Sequence, residues 1–112
     1  MTEESQPVPD YVYVVRARFG CPEREAAWHR WYDEVHIPQI LSVPGFHSVR
    51  RYRQIDRPEW FAAEYGIDSP AVFEQPRYAE VRGWGEWADC IAEWSRELLQ
   101  RASFSPAKEA RS

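Results

Sequence analysis

The order of apolar and polar positions divides the chain into short blocks of alternating period. From Tyr11 to Phe19 the run YVYVVRARF is dominated by β-branched and aromatic residues. It predicts a largely buried strand, ended by Gly20 and Pro22. From Glu23 to Val35 the period lengthens: Ala27, Trp28, Trp31, Tyr32 and Val35 recur at three- and four-residue spacing and form one face of a helix. Pro22 suits its first turn, and Glu23 and Glu25 sit well at the positive end of its dipole. Pro38 is expected to close it, or to leave a short irregular turn through Ile40 and Leu41. Val43-Pro44-Gly45 is a turn signal. Phe46 to Gln54 then alternates, with Phe46, Ser48, Arg50 and Tyr52 on one side and His47, Val49, Arg51 and Arg53 on the other. Asp56-Arg57-Pro58 links this strand to a second one, Glu59 to Ile67, as an antiparallel hairpin.

Asp68-Ser69-Pro70 is a helix start, since Asp or Ser caps and Pro fits the first turn. The short helix that follows runs to about Gln75 and is expected to stop at Pro76. Arg77 to Gly85 is ambiguous. Glu86 to about Arg96 reads as helical, with Trp87, Ile91 and Trp94 on one face. Leu98 to Phe104 either continues that helix or returns as a final edge strand, and the strand is the favoured reading. The order is β-α-β-β-α-β, which predicts an α+β ferredoxin-like fold: a four-stranded antiparallel sheet with both helices on one face. The other face then has no cover, and a symmetric homodimer is the economical way to bury it.

Composition narrows this picture. A chain of 112 residues with 44% hydrophobic and 15% aromatic residues is one folded domain, too apolar for disorder. That domain is expected over residues 11–105, between polar tails at 1–10 and 106–112. Fourteen basic against 18 acidic residues give a net charge of −4, which argues against a nucleic-acid partner despite the local cluster of Arg50, Arg51, Arg53 and Arg57. No apolar run is long enough to span a bilayer, and Met1 to Asp10 has no apolar core of a leader, so a cytoplasmic protein without a membrane partner is expected. Cys21 and Cys90 read most simply as two free thiols in a reducing compartment, with a disulfide between them as the alternative.

The segment Trp28 to Tyr52, WHRWYDEVHIPQILSVPGFHSVRRY, resembles the EthD-like families of the dimeric α+β barrel superfamily. The elements that carry the resemblance are Trp31-Tyr32, His36-Ile37-Pro38, Pro44-Gly45-Phe46 and Arg50-Arg51-Tyr52, with EYGIDSPAVF from Glu64 to Phe73 as a strand-to-helix junction. The resemblance implies two sheets facing each other in a dimer and a ligand-holding cleft between sheet and helices. Reactions in that superfamily range from isomerisation and cyclisation to haem degradation, so it implies the reaction poorly.

His36, near the end of the first helix, is the best single candidate for acid–base work, because an unperturbed imidazole titrates near neutrality. The plainer reading is a histidine that fixes the helix end. Tyr32, Tyr52 and Tyr65 are candidates for holding a substrate oxygen, or else core aromatics with a wet hydroxyl. Arg51 is a candidate counter-charge for an anionic substrate or enolate, against a surface ion pair with Glu64 or Asp56. Glu64, in an apolar strand, is read as paired with an arginine rather than as an acid–base group. Of the six Trp, Trp28, Trp31, Trp84 and Trp87 are expected to line a cavity, beside a share of core packing. His29, Asp33 and His36 share a helical stripe, but a solvated polar face explains that spacing better than a metal site. No nucleotide-binding, serine-esterase or zinc motif occurs.

The expected function is therefore an enzyme with no organic cofactor and no metal, acting on a hydrophobic oxygenated ring or polyketide-like compound by proton transfer, as an isomerase, cyclase or lyase. His36, Tyr65, Tyr32 and Arg51 would carry the chemistry, and Trp28, Trp31, Tyr52, Glu64, Trp84 and Trp87 would bind the substrate. Two alternatives are a non-catalytic small-molecule binding protein and a haem-binding monooxygenase with His36 on the iron.

Overall fold

The computed structural model describes residues 8–102, so the expected tail at 106–112 and most of the one at 1–10 lie outside the described residues. Strands β1 (Tyr11–Phe19), β2 (Phe46–Arg53), β3 (Trp60–Ile67) and β4 (Ile91–Gln100) form one antiparallel sheet in the order β2-β3-β1-β4. This is the α+β ferredoxin-like arrangement expected from the sequence. Central β1 places Tyr13 opposite Tyr65 of β3 and Leu98 of β4, and Val15 opposite Ala63 and Arg96. One sheet face thereby collects Tyr13, Ala17, Phe19, Phe61, Ala63, Tyr65 and Ile67, all buried under the helices. Trp28 is only 1% exposed and anchors this core, stacked on Phe19 at 4.4 Å and edge-on to Phe61 at 5.3 Å.

The first crossover is longer than expected. A 3-10 turn (Pro22–Arg24) leads into α1 (Glu25–Trp31), a π-helical turn (Tyr32–His36) and α2 (Ile37–Leu41). Pro38 does not close the helix. A proline inside an α-helix lacks its N–H and clashes with the carbonyl four residues back. The widened turn, in which the Ile37 N–H donates to the Tyr32 carbonyl, relieves that conflict and lets the helix run on to Leu41.

The second crossover departs further. Ser69 caps a 3-10 turn (Pro70–Glu74) by accepting the Ala71 N–H at 3.1 Å. Pro76 then opens a separate helix α3 (Pro76–Val81) instead of merely stopping the first. The helix expected over Glu86 to Arg96 is absent: Gly85–Cys90 is a 3-10 turn and the strand begins at Ile91. Trp87, Ile91 and Trp94 have helical spacing, yet pairing along β1 outweighs that local pattern. The favoured final strand is present but starts seven residues early, and Phe104 lies outside the described residues. On β2, a bulge between Phe46 and Ser48 shifts the alternation, so Phe46 joins Val49 and Arg51 on the helix side.

The two cysteines are not free. Cys21 and Cys90 form a disulfide with their Cα atoms 5.4 Å apart, closing a separation of 69 residues. Strand pairing explains it: the Gly20 N–H donates to the Cys90 carbonyl at 2.7 Å, so the end of β1 and the approach to β4 lie side by side. The sheet face away from the helices carries Tyr52 and Leu99, both exposed, beside the ion pairs Arg16–Glu97 and Arg18–Glu93. No helix among the described residues is long and apolar enough to cross a membrane.

Two stability predictions follow from these contacts. Replacing both cysteines by serine frees the denatured chain, and should cost about 2–4 kcal/mol by urea denaturation; an unchanged midpoint would show that the bridge contributes nothing. Gly45 has φ +96°, and a Cβ there would meet Val72 Cγ1. Gly45→Ala is expected to destabilise by about 2–5 kcal/mol, the sum of left-handed strain and overpacking, measured in the same assay.

Candidate functional site

A cavity of about 300 Å³ opens between the helix side of the sheet and the covering helices. The π-helical turn supplies one wall. Tyr32 and His36, four residues apart, both project into the cavity from it. His36 is 6% exposed, stacked flat on Trp31 at 4.9 Å and edge-on to Tyr32 at 5.0 Å. Burial, helped by the positive charge of Arg51, lowers its pKa to about 4, so the imidazole is neutral at neutral pH. Its Nδ1 is buried with no partner. A buried orphan N–H is rarer than an orphan acceptor, so the proton belongs on Nε2. His36 is thus built to donate a hydrogen bond, and a group of such low pKa is a poor general base at pH 7.

His36 shares the cavity with a pair of hydroxyls. Tyr32 and Tyr65 meet oxygen to oxygen at 3.2 Å. Burial raises the pKa of both, so both stay protonated. A second pair, Tyr13 and Tyr78, lies at 3.5 Å, and the Tyr13 and Tyr65 rings are 5.9 Å apart, which makes the two pairs neighbours. Burial also raises the Tyr78 pKa, against an opposing pull from Arg96 and Arg82. The remaining wall comes from the segment after α3 and from β4. Gly83, with φ +101°, turns the chain so that Trp84 closes over the cavity beside Tyr32 and meets Trp94 edge-on at 6.2 Å. Trp94 is 54% exposed and stands at the rim with Arg82 and Arg96. Among the described residues that line the cavity there are two arginines, four tyrosines and one histidine, and no Asp or Glu. Such a site welcomes electron-rich oxygen and developing negative charge.

The structure brings His36, Tyr32, Tyr65 and Trp84 together. Trp31 backs His36, while Trp87 lies in the core behind Trp31 and Trp28 lies behind Tyr32; none of these three lines the cavity. Arg51 lies over the far side of the Tyr32 ring, at 4.1 Å, and donates to Asp33 Oδ1 and His29 Nδ1, each at 3.1 Å. It supports Tyr32 from behind and does not reach the cavity, and its ion-pair partner is Asp33, not Glu64 or Asp56. His29 in turn pairs with Glu25 at 3.2 Å, so the stripe of His29, Asp33 and His36 is split between two environments. Tyr52 and Glu64 are placed on the opposite sheet face by the β2–β3 register, where Glu64 faces Arg50. Sequence reasoning missed Tyr13, Phe46, Tyr78, Arg82, Trp94 and Arg96. Phe46 was hidden by the bulge, and Trp94 and Arg96 by the helical reading of β4. Tyr13 was legible as a buried strand position but not as part of a site.

Neither a protein-family model nor a curated protein matches this sequence. Solved structures do. SnoaB, a cofactor-independent oxygenase from Streptomyces nogalater (as its N63A mutant), matches with TM-score 0.62 and 17% identity over 87% of this chain and 98% of that one. A Bordetella bronchiseptica protein classed with the antibiotic biosynthesis monooxygenases gives TM-score 0.64 and 17% identity over 84% and 99%. A Nitrosomonas europaea protein of the same class gives 0.56 and 22% over 86% and 91%. The narrower EthD-like resemblance is not shown by any of these matches. At such identities the likeness speaks for architecture alone: this chain has the α+β ferredoxin-like fold that these solved structures share.

Proposed function

We propose that the protein is a small-molecule enzyme that binds a hydrophobic oxygenated ring or polyketide-like compound, stabilises its enolate or phenolate, and carries out isomerisation, cyclisation or elimination without an organic cofactor. The observation that carries this reading is the carboxylate-free, donor-lined cavity. The ring lies against Ile40, Phe46 and Trp84. Its oxygen receives hydrogen bonds from the Tyr32–Tyr65 pair and from His36 Nε2–H. One hydroxyl of the pair donates to the other and leaves one O–H free, so this donor and His36 Nε2–H, both neutral, strengthen as negative charge develops on that oxygen. The proton passes to a water molecule at the open mouth of the cavity, which suits a substrate whose enol or phenol is already acidic. His36 acts here as a neutral electrophile and not as the base. A homodimer packed through the open sheet face belongs to the same reading.

A second reading draws on the likeness to SnoaB, a cofactor-independent oxygenase. A stabilised enolate is also a reductant of dioxygen, so that a ring CH2 becomes C=O while the second oxygen atom leaves as water. Non-catalytic binding remains the third.

Turnover of phenols, β-diketones and lactones, followed by mass spectrometry in air and under argon, separates these readings. Tyr65→Phe and His36→Leu should each lower kcat by about 10²-fold, the usual effect of removing one oxyanion donor. His36→Gln, which keeps a donor near the Nε2 position, should lose less. Turnover that stops under argon identifies the oxygenase. Compounds that bind tightly but are never converted would refute catalysis.

The neutral state of His36 has its own test. Its folded pKa of about 4 lies below the unfolded value of 6.5, so the native state binds fewer protons between those values. Stability is therefore full above pH 6.5 and falls as the pH drops toward 4, by about 3 kcal/mol in all. Urea denaturation across that window should show a clearly shallower loss in His36→Gln than in the wild type. Equal slopes would mean that His36 is not held neutral.

A further inference from the structure

Two cationic groups in the cavity wall have no part in the proposed chemistry. Arg82 follows α3 and Arg96 lies on β4, so they approach the cavity from different elements. Arg16, Arg18, Arg51, Arg53, Arg77 and Arg101 each have a carboxylate within 4 Å. Arg82 and Arg96 have none among the described residues. The Arg96 guanidinium lies 5.8 Å from the Tyr13 ring and 5.7 Å from the Phe73 ring, and the neighbouring Tyr13 hydroxyl raises its pKa. Both guanidiniums act on the Tyr78 hydroxyl electrostatically. The Tyr13–Tyr78 separation of 3.5 Å is long for a hydroxyl pair, which leaves O–H capacity for a third group. Guanidinium forks beside a hydroxyl pair that keeps a spare O–H match the geometry of a carboxylate.

We propose that this end of the cavity is an anion clamp and that the ligand is a ring acid, its carboxylate held by Arg82, Arg96, Tyr13 and Tyr78 while its reactive oxygen sits at Tyr32, Tyr65 and His36. The proposal rests on the functional reading above and adds the second polar group of the substrate. The spacing is compatible with one molecule of one or two rings, because the Tyr13 and Tyr65 rings that join the two ends are 5.9 Å apart. The clamp fixes which edge of the ring reaches His36, so it acts as an orienting device as well as a source of affinity.

Isothermal titration of the full chain with 2-naphthol and with 6-hydroxy-2-naphthoate tests it, in the wild type, Arg82→Gln/Arg96→Gln and Tyr65→Phe. The wild type should bind the hydroxynaphthoate at least tenfold more tightly than the naphthol, about 1.4 kcal/mol. The double variant should lose that preference and keep its affinity for 2-naphthol, which also certifies its fold. Tyr65→Phe should weaken both ligands and keep the preference. Equal wild-type affinities, or a preference that survives in the double variant, would overturn the clamp and leave the oxygen-binding site standing. Loss of 2-naphthol binding in the double variant would overturn it too, by making the arginines part of the cavity's shape. A wild type that binds neither ligand would bring down both readings together.

Discussion

Pairing of β1 with β4 is the constraint on which the rest depends. It runs from Tyr11↔Gln100 to Phe19↔Ile91, and the Cys21–Cys90 bridge lies just beyond its end. Without it, Ile91 to Leu98 has the spacing of an amphipathic helix, and nothing would place Trp94 and Arg96 beside Val15 and Tyr13. With it, the edge strand becomes one wall of the cavity. The bridge and the Gly20–Cys90 hydrogen bond fix where the ladder starts, which matters because a one-residue slip in a strand sends every side chain to the other face. A slip here would turn Arg96 and Trp94 away from the tyrosines and bring Glu97 and Ser95 toward them, replacing a cation with an anion.

The π-helical turn plays the corresponding part on the helix side. Pro38 makes an ordinary α-turn costly at that point, and the wider turn absorbs the missing donor. Its by-product is the placement of Tyr32 and His36 together against Trp31 and Tyr65. Arg51 completes the support from behind: its guanidinium lies on the outer face of the Tyr32 ring and is tied to Asp33 and His29. From there its charge still reaches His36 and helps to keep the imidazole neutral. The residue expected to meet the substrate therefore acts through its neighbours.

The legibility of this protein in its sequence follows the range of the interactions involved. β1, the β2–β3 hairpin and the first helix were readable, because alternation, turn residues and three-to-four spacing are local signals. Tyr32, Tyr65, His36 and Trp84 were readable as candidates because their side chains carry the chemistry. What was not readable depends on partners far along the chain. The β2 bulge that turns Phe46 inward is set by its partner Ile67. The conversion of Glu86 to Arg96 from expected helix to turn and strand is set by β1, some 70 residues earlier in sequence. The disulfide depends on the same pairing, and two cysteines without a motif gave no sign of it. Tyr52 and Glu64 failed as cavity residues for a simpler reason: alternation assigns faces, but not which face the helices will cover.

Electrostatics then separates the inside of the site from the outside of the molecule. The chain carries a net charge of −4, and six of its twelve described arginines lie within 4 Å of a carboxylate. At physiological ionic strength that surface charge is screened within about 8 Å, so an approaching anion feels mainly the nearest groups. In the cavity those groups are Arg82, Arg96 and a set of hydroxyl, imidazole and indole donors, with apolar walls that keep the local dielectric low. An acidic protein can therefore hold an anion without a positive surface. The reason lies in position: β4 and the Gly83 turn place two arginines where no carboxylate among the described residues lies within 4 Å.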